Sequence, residues 1–142
     1  MTKEDMRKLQ VLKNKCMRLV TSSEYRTPTE HLLRATGSVS VHQRTAQLTL
    51  AHVHTISRCK KPMYHYNRLF GRAGPSNQPD TRSARQGINR IDFRLSIARA
   101  SFFYQASRLW SALPEEVRST ENKAMFKMKS KAWVKSNIVI KP

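Results

Sequence analysis

Apolar residues recur at three- and four-residue intervals along most of the chain, the period of a helix buried on one side. From Glu4 to Val20 that spacing is kept by Met6, Leu9, Leu12, Cys16 and Leu19. It predicts an amphipathic helix with these residues inward and a basic outer face, ended by Thr21-Ser22-Ser23. Thr27, Pro28 and Glu30 then read as N-cap, first helical position and reciprocal cap. They open a short helix with Leu32 and Leu33 as its buried side and a left-handed Gly37 as its stop. Ser40 and Gln43 repeat the capping logic. A longer helix follows, from Val41 to about Arg58, with Leu48, Leu50, Val53 and Ile56 inward. Pro62 starts another, Met63 to Phe70, in which Tyr66, Leu69 and Phe70 are placed to pack.

The pattern then changes. Gly71 to Gly87 holds three glycines, two prolines and no large apolar residue, the composition of a loop or connector. Ile88, Ile91, Phe93, Leu95 and Ile97 partly alternate with polar residues, which favours a short strand or an extended arm. Helical spacing returns from Ser101 to Leu113 with Phe102, Phe103, Ala106, Leu109, Trp110 and Leu113, and Pro114 ends it. After a PEEVR turn the last helix runs from about Thr120 to Ser136. The expectation is a mainly α-helical, single small domain of five or six helices. Within it lie an N-terminal helical part (1–70), an arginine-rich loop (71–87) and a C-terminal arm plus helices (88–142). No internal repeat stands out.

Charge changes this picture most. Lys and Arg number 27 against 9 Asp and Glu, a net charge of +18. The excess is spread over the whole chain rather than gathered in a tail. Such a surplus makes a compact state repel itself unless an anion is bound, and nucleic acid is the usual partner. The last helix concentrates the question. Lys123, Lys127, Lys131 and Lys135 are four apart, so they stand in one row, and like charges at that spacing cost a helix about 0.2–0.5 kcal/mol per pair. On the helical wheel Met125, Phe126, Ala132 and Trp133 fall opposite, with Lys129 intruding among them and Val134 among the lysines. The predicted helix docks by its aromatic side and offers the lysines outward. Phosphates would neutralise the row and release counterions. The connector and arm add Arg82, Arg85, Arg90, Arg94 and Arg99, whose planar forks suit phosphate.

Other chemistry finds less support. His52, His54, Cys59 and His65 lie close in sequence, but zinc ligands usually come in tighter pairs, and His52 and His54 point to different sides of a helix. No Gly-x-Ser-x-Gly elbow and no Walker loop occurs. Cys16 and Cys59 are too few for a disulfide framework and read as free, buried thiols of a reducing, intracellular compartment, nuclear or cytoplasmic. No signal peptide is legible, and no apolar run approaches the roughly 18 residues of a membrane span. Asp80 and Asp92 loosely fit a nuclease pattern of paired carboxylates, but Arg94 stands where that pattern has lysine. Arginine does not readily give up a proton.

Four segments then come in a familiar order. These are LQVLKNKCMRLVT (Leu9 to Thr21), TPTEHLLRATGSVSVHQR (Thr27 to Arg44), FYQASRLWSALPEEVR (Phe103 to Arg118) and FKMKSKAW (Phe126 to Trp133). Over residues 7–135 the chain resembles the region just downstream of the polymerase core in non-LTR (LINE-type) retrotransposon reverse transcriptases. Trp110-x-x-Leu113-Pro114 followed by the basic Phe126-Lys127 helix is the most specific part. Ser111 stands where the family usually has asparagine. The resemblance implies a segment that helps hold template RNA or target DNA beside a separate catalytic core, a partner in its own right. The family's catalytic aspartate pair does not occur here, so no catalytic residue carries over.

The expected function is sequence-tolerant binding of RNA or DNA, with no catalysis, no cofactor or metal, no small-molecule substrate and no membrane span. One alternative is a helical module docking on a polymerase or another protein, marked by an exposed apolar patch around Leu9 and Trp110. The other is a metal-dependent nuclease built on Asp80 and Asp92. An anionic membrane surface is a weaker ligand, since the basic helix has few large apolar residues to insert.

Overall fold

A computed structural model of the protein describes residues 3–71, 88 and 101–138. The protein is mainly α-helical. Among the described residues there are seven helices and no strand: α1 (Lys3–Thr21), α2 (Thr29–Ala35), α3 (Val41–Cys59), α4 (Met63–Phe70), α5 (Phe102–Ala112), α6 (Glu115–Arg118) and α7 (Lys123–Asn137). The PEEVR turn is thus a short helix of its own. The expected strand or arm over 88–97 lies outside the described residues except for Ile88, which is buried. None of the described helices is long and apolar enough to cross a membrane.

Packing divides the chain into two compact units. One comprises Met1–Thr45 and Val134–Pro142, the other Ala46–Trp133.

In the first unit, α1 and α2 bury Met17 against Leu32 and Leu33. Apart from half-buried Met6, the rest of the inward side of α1 is polar, contrary to its apolar spacing. Asn14 Nδ2 donates to Thr29 Oγ1 at 2.9 Å, Gln10 Oε1 accepts from the Val41 amide at 2.8 Å, and Arg18 Nη2 donates to the Thr27 carbonyl at 3.2 Å. Lys13 Nζ donates to the Val39 carbonyl. Leu9, Leu12, Cys16 and Leu19, expected inward, are exposed, Leu19 at 81%. The physical reason lies in what α1 faces. The chain at 27–41 ends one helix and starts another, so it presents backbone groups without intrahelical partners. Polar side chains satisfy them and leucines cannot.

Local stops and starts follow the sequence more closely. Gly37 sits at φ +61°. The Ser38 amide donates to Leu33 O at 3.0 Å and the Gly37 amide to Arg34 O at 3.1 Å, the paired bonds of a Schellman stop. Ser40 Oγ accepts from the Gln43 amide at 3.1 Å, and Gln43 Oε1 accepts from the Ser40 amide at 3.0 Å. This is the reciprocal capping box, and both residues are buried. Gln43 Nε2 also donates to Ile138 O at 2.9 Å. At α2 the cap differs from expectation: Pro28 is the N-cap and no side chain caps the helix.

In the second unit, α3 contributes Leu50, Val53 and Ile56, all fully buried. Leu48 is instead 54% exposed. At 100° per residue it lies about 200° from Leu50, so the two cannot share a face. Leu69 of α4, Ala106 and Trp110 of α5, Leu113, and Phe126 of α7 complete this core. Ser101 caps α5 by accepting from the Tyr104 amide at 3.4 Å.

Candidate functional site

Asn122 starts α7, its Oδ1 accepting from the amides of Ala124 at 2.8 Å and Met125 at 3.3 Å. The buried seam of α7 is Phe126, Ser130 and Val134, one residue behind the lysines and so about 100° around the axis. Phe126 stacks on His54 with ring centroids 4.1 Å apart and lies 6.0 Å from Trp110. Ser130 is small enough for close approach, and its hydroxyl donates to the Lys127 carbonyl of its own helix at 3.2 Å. Its burial therefore leaves no unpaired polar atom. The expected inward set needs correcting. Met125 and Ala132 are exposed, whereas Val134, expected among the lysines, is buried.

The row itself stands as a row. Lys123, Lys127, Lys131 and Lys135 are all exposed on α7, and Lys129 beside them is exposed too. The helix contains no acidic residue. Lys123 in its first turn opposes the helix dipole, while Lys135 in its last turn agrees with it. Neither the Arg58–Glu121 pair at 3.5 Å nor the Arg118–Glu115 pair at 2.7 Å involves them. Arg82, Arg85, Arg90, Arg94 and Arg99, like Asp80 and Asp92, lie outside the described residues.

The histidines are engaged in packing. His54 Nε2 bonds the Thr120 carbonyl at 2.8 Å, which requires the proton on Nε2. His52 meets His65 and Phe102 edge-on, centroids 5.8 and 5.4 Å apart. Among the described residues no group of three or more His, Cys, Asp or Glu could hold a metal ion. Both cysteines are exposed rather than buried. Each falls on the solvent side of its helix, which helical spacing alone did not reveal.

The second unit also holds an arrangement that apolar spacing and charge count do not disclose. Arg68 Nη1 donates to the Tyr64 hydroxyl at 3.3 Å, and Arg108 Nη1 to the Tyr104 hydroxyl at 3.4 Å. Each pair is a tyrosine and an arginine one helical turn apart, followed by leucine and a large aromatic: Tyr64…Arg68-Leu69-Phe70 and Tyr104…Arg108-Leu109-Trp110. The common pattern Tyr-x-x-x-Arg-Leu-aromatic was the legible signal. Tyr64 meets Phe103 at 5.9 Å and Phe70 meets Trp110 at 6.2 Å. The helices α4 and α5 therefore run side by side in the same direction, with the two tyrosine–arginine pairs at similar levels. The Arg68 guanidinium lies over the Phe103 ring, 4.9 Å from its centroid, and that of Arg108 lies 5.7 Å from the centre of Tyr104.

No protein-family model, curated protein or solved structure matches the chain.

Proposed function

We propose that the chain binds RNA or DNA through the phosphate backbone, with little regard to sequence and without a catalytic centre of its own. The observation that carries this reading is α7. It has five exposed lysines and no acid, four of the lysines in one row, over a buried seam that fixes the helix. Folding gains nothing from that row, since its neighbours repel. A polyanion removes the repulsion and exchanges it for released counterions. The net charge of +18 and the resemblance to the post-polymerase region of LINE-type reverse transcriptases point the same way. Arg82, Arg85, Arg90, Arg94 and Arg99 would extend the binding surface by their chemistry.

The test is a salt titration of binding to single-stranded RNA and duplex DNA, with wild type and a Lys123/Lys127/Lys131/Lys135→Ala variant. Alanine favours helix, so the variant keeps α7. The slope of log affinity against log salt should shrink by about 0.7–0.9 for each phosphate that the variant no longer neutralises. Equal slopes for the two proteins would reduce the row to a solvated face.

A second reading is favoured by α1. Its outer side exposes Leu9, Val11, Leu12, Leu19 and Val20, the kind of apolar patch through which a helical module docks on another protein. Trp110, the other residue expected in such a patch, is buried. Absence of nucleic-acid binding in every condition, together with capture of a polymerase core by wild type but not by a Leu12→Glu variant, would support it.

A further inference from the structure

We propose that Tyr64, Arg68, Phe103, Tyr104 and Arg108 form a stacking platform for bases, and that the ligand is therefore a single strand rather than a duplex. This inference rests on the nucleic-acid reading above and specifies its ligand.

Tyr64 is 63% exposed, Arg68 beside it and Arg108 beside Tyr104 are exposed, and Phe103 and Tyr104 are half-buried. A tyrosine so open adds little to the core. Each guanidinium is nevertheless oriented by an aromatic group: Arg68 by the Tyr64 hydroxyl and the Phe103 face, Arg108 by Tyr104. Planar cations fixed beside π-faces are surfaces on which unpaired bases stack. Bases inside a duplex already stack on their neighbours, so their faces are not free to do so. The charge that α4 and α5 themselves carry is of one sign. Neither α4 (MYHYNRLF) nor α5 (FFYQASRLWSA) contains an acidic residue. That composition suits a polyanion and disfavours a basic peptide or a second copy of this strongly basic chain.

The platform and the lysine row have different physical signatures. Phosphate neutralisation sets the salt dependence of binding and is indifferent to whether bases are present. Stacking depends on bases and is sequence-tolerant, because every base has a π-face. The experiment uses the full chain with three fluorescent probes of equal length: a mixed-sequence single-stranded RNA, an abasic strand with the same number of phosphates, and a duplex. The test variants are Tyr64→Ala/Tyr104→Ala and Arg68→Lys/Arg108→Lys. The second keeps both charges and removes the planes, and circular dichroism confirms that each variant folds.

Wild type is expected to bind the base-bearing single strand at least about tenfold more tightly than the abasic strand or the duplex, stacking being worth on the order of 5- to 150-fold per base. Both variants should lose most of that preference, leaving abasic binding and the salt slope unchanged. If wild type binds base-bearing and abasic strands alike, the platform is overturned while the phosphate reading stands. Variants that keep the wild-type preference also overturn it. If no probe binds, both readings fall together.

Discussion

His54 lies almost flat on Phe126, ring centroids 4.1 Å apart and planes 17° apart, while its Nε2 holds the Thr120 carbonyl. One side chain of α3 thus grips α7 by its aromatic seam and also grips the segment just ahead of it. The lysine row is presented by a helix whose orientation depends on this grip. Replacing His54 with alanine removes a buried ring and leaves a carbonyl unpaired, so stability should fall by about 2–4 kcal/mol. Urea unfolding measures this. A change within experimental error would mean that Trp110 against Phe126, and Gln47, whose Nε2 donates to the Lys127 carbonyl at 3.5 Å, hold α7 without it.

Gly37 offers a cleaner test, because a Cβ there would meet nothing within 4 Å while φ is +61°. Gly37→Ala should therefore cost about 1–2 kcal/mol from backbone strain alone, and Gly37→Asn less, since asparagine tolerates the left-handed region. Equal thermal midpoints for the two variants would contradict that origin.

Partial burial and the nearby charge of Arg44 lower the pKa of Lys13 below its usual value. The unfolded chain then holds this proton to higher pH than the folded one, so stability rises with pH between the folded and unfolded pKa values. Below that window the full burden of charging Lys13 is present. The stability of wild type relative to Lys13→Met should increase as pH is raised from neutral towards 10.5. Parallel stability curves for the two proteins would show that the lysine titrates as if unfolded.

Cys16 and Cys59 are both exposed. Ellman's reagent in native buffer should modify both of these thiols without prior unfolding. Modification only after adding denaturant would place them inside.

What the sequence revealed and what it hid divide along one line. The Ser40–Gln43 box, the Gly37 stop and the Pro62 and Ser101 starts are made between residues within a few positions of one another, so local pattern suffices to find them. Facing is settled by distant partners. Gln10, Lys13 and Asn14 turn inward because the Val41 amide, the Val39 carbonyl and the Thr29 hydroxyl need them, and nothing inside α1 announces that need. In α7 the inward turn of Phe126 is matched by His54, again outside the helix. The lysine row was readable because its positions repeat. The tyrosine–arginine pairs were equally local, but their meaning depends on α4 lying beside α5, which one helix at a time does not disclose.

The outward leucines and valines of α1 also bear on how the protein behaves as a colloid. At low ionic strength the charge of +18 keeps copies apart and the sticky helix is harmless. At physiological salt the range of that repulsion shrinks to about 8 Å, and more salt shortens it further. Added salt thus unmasks the aliphatic side of α1 to its twin on another molecule. Purification in high salt should favour reversible clustering, which a Leu12→Glu or Leu19→Glu change would suppress. The protein is best dispersed in dilute buffer.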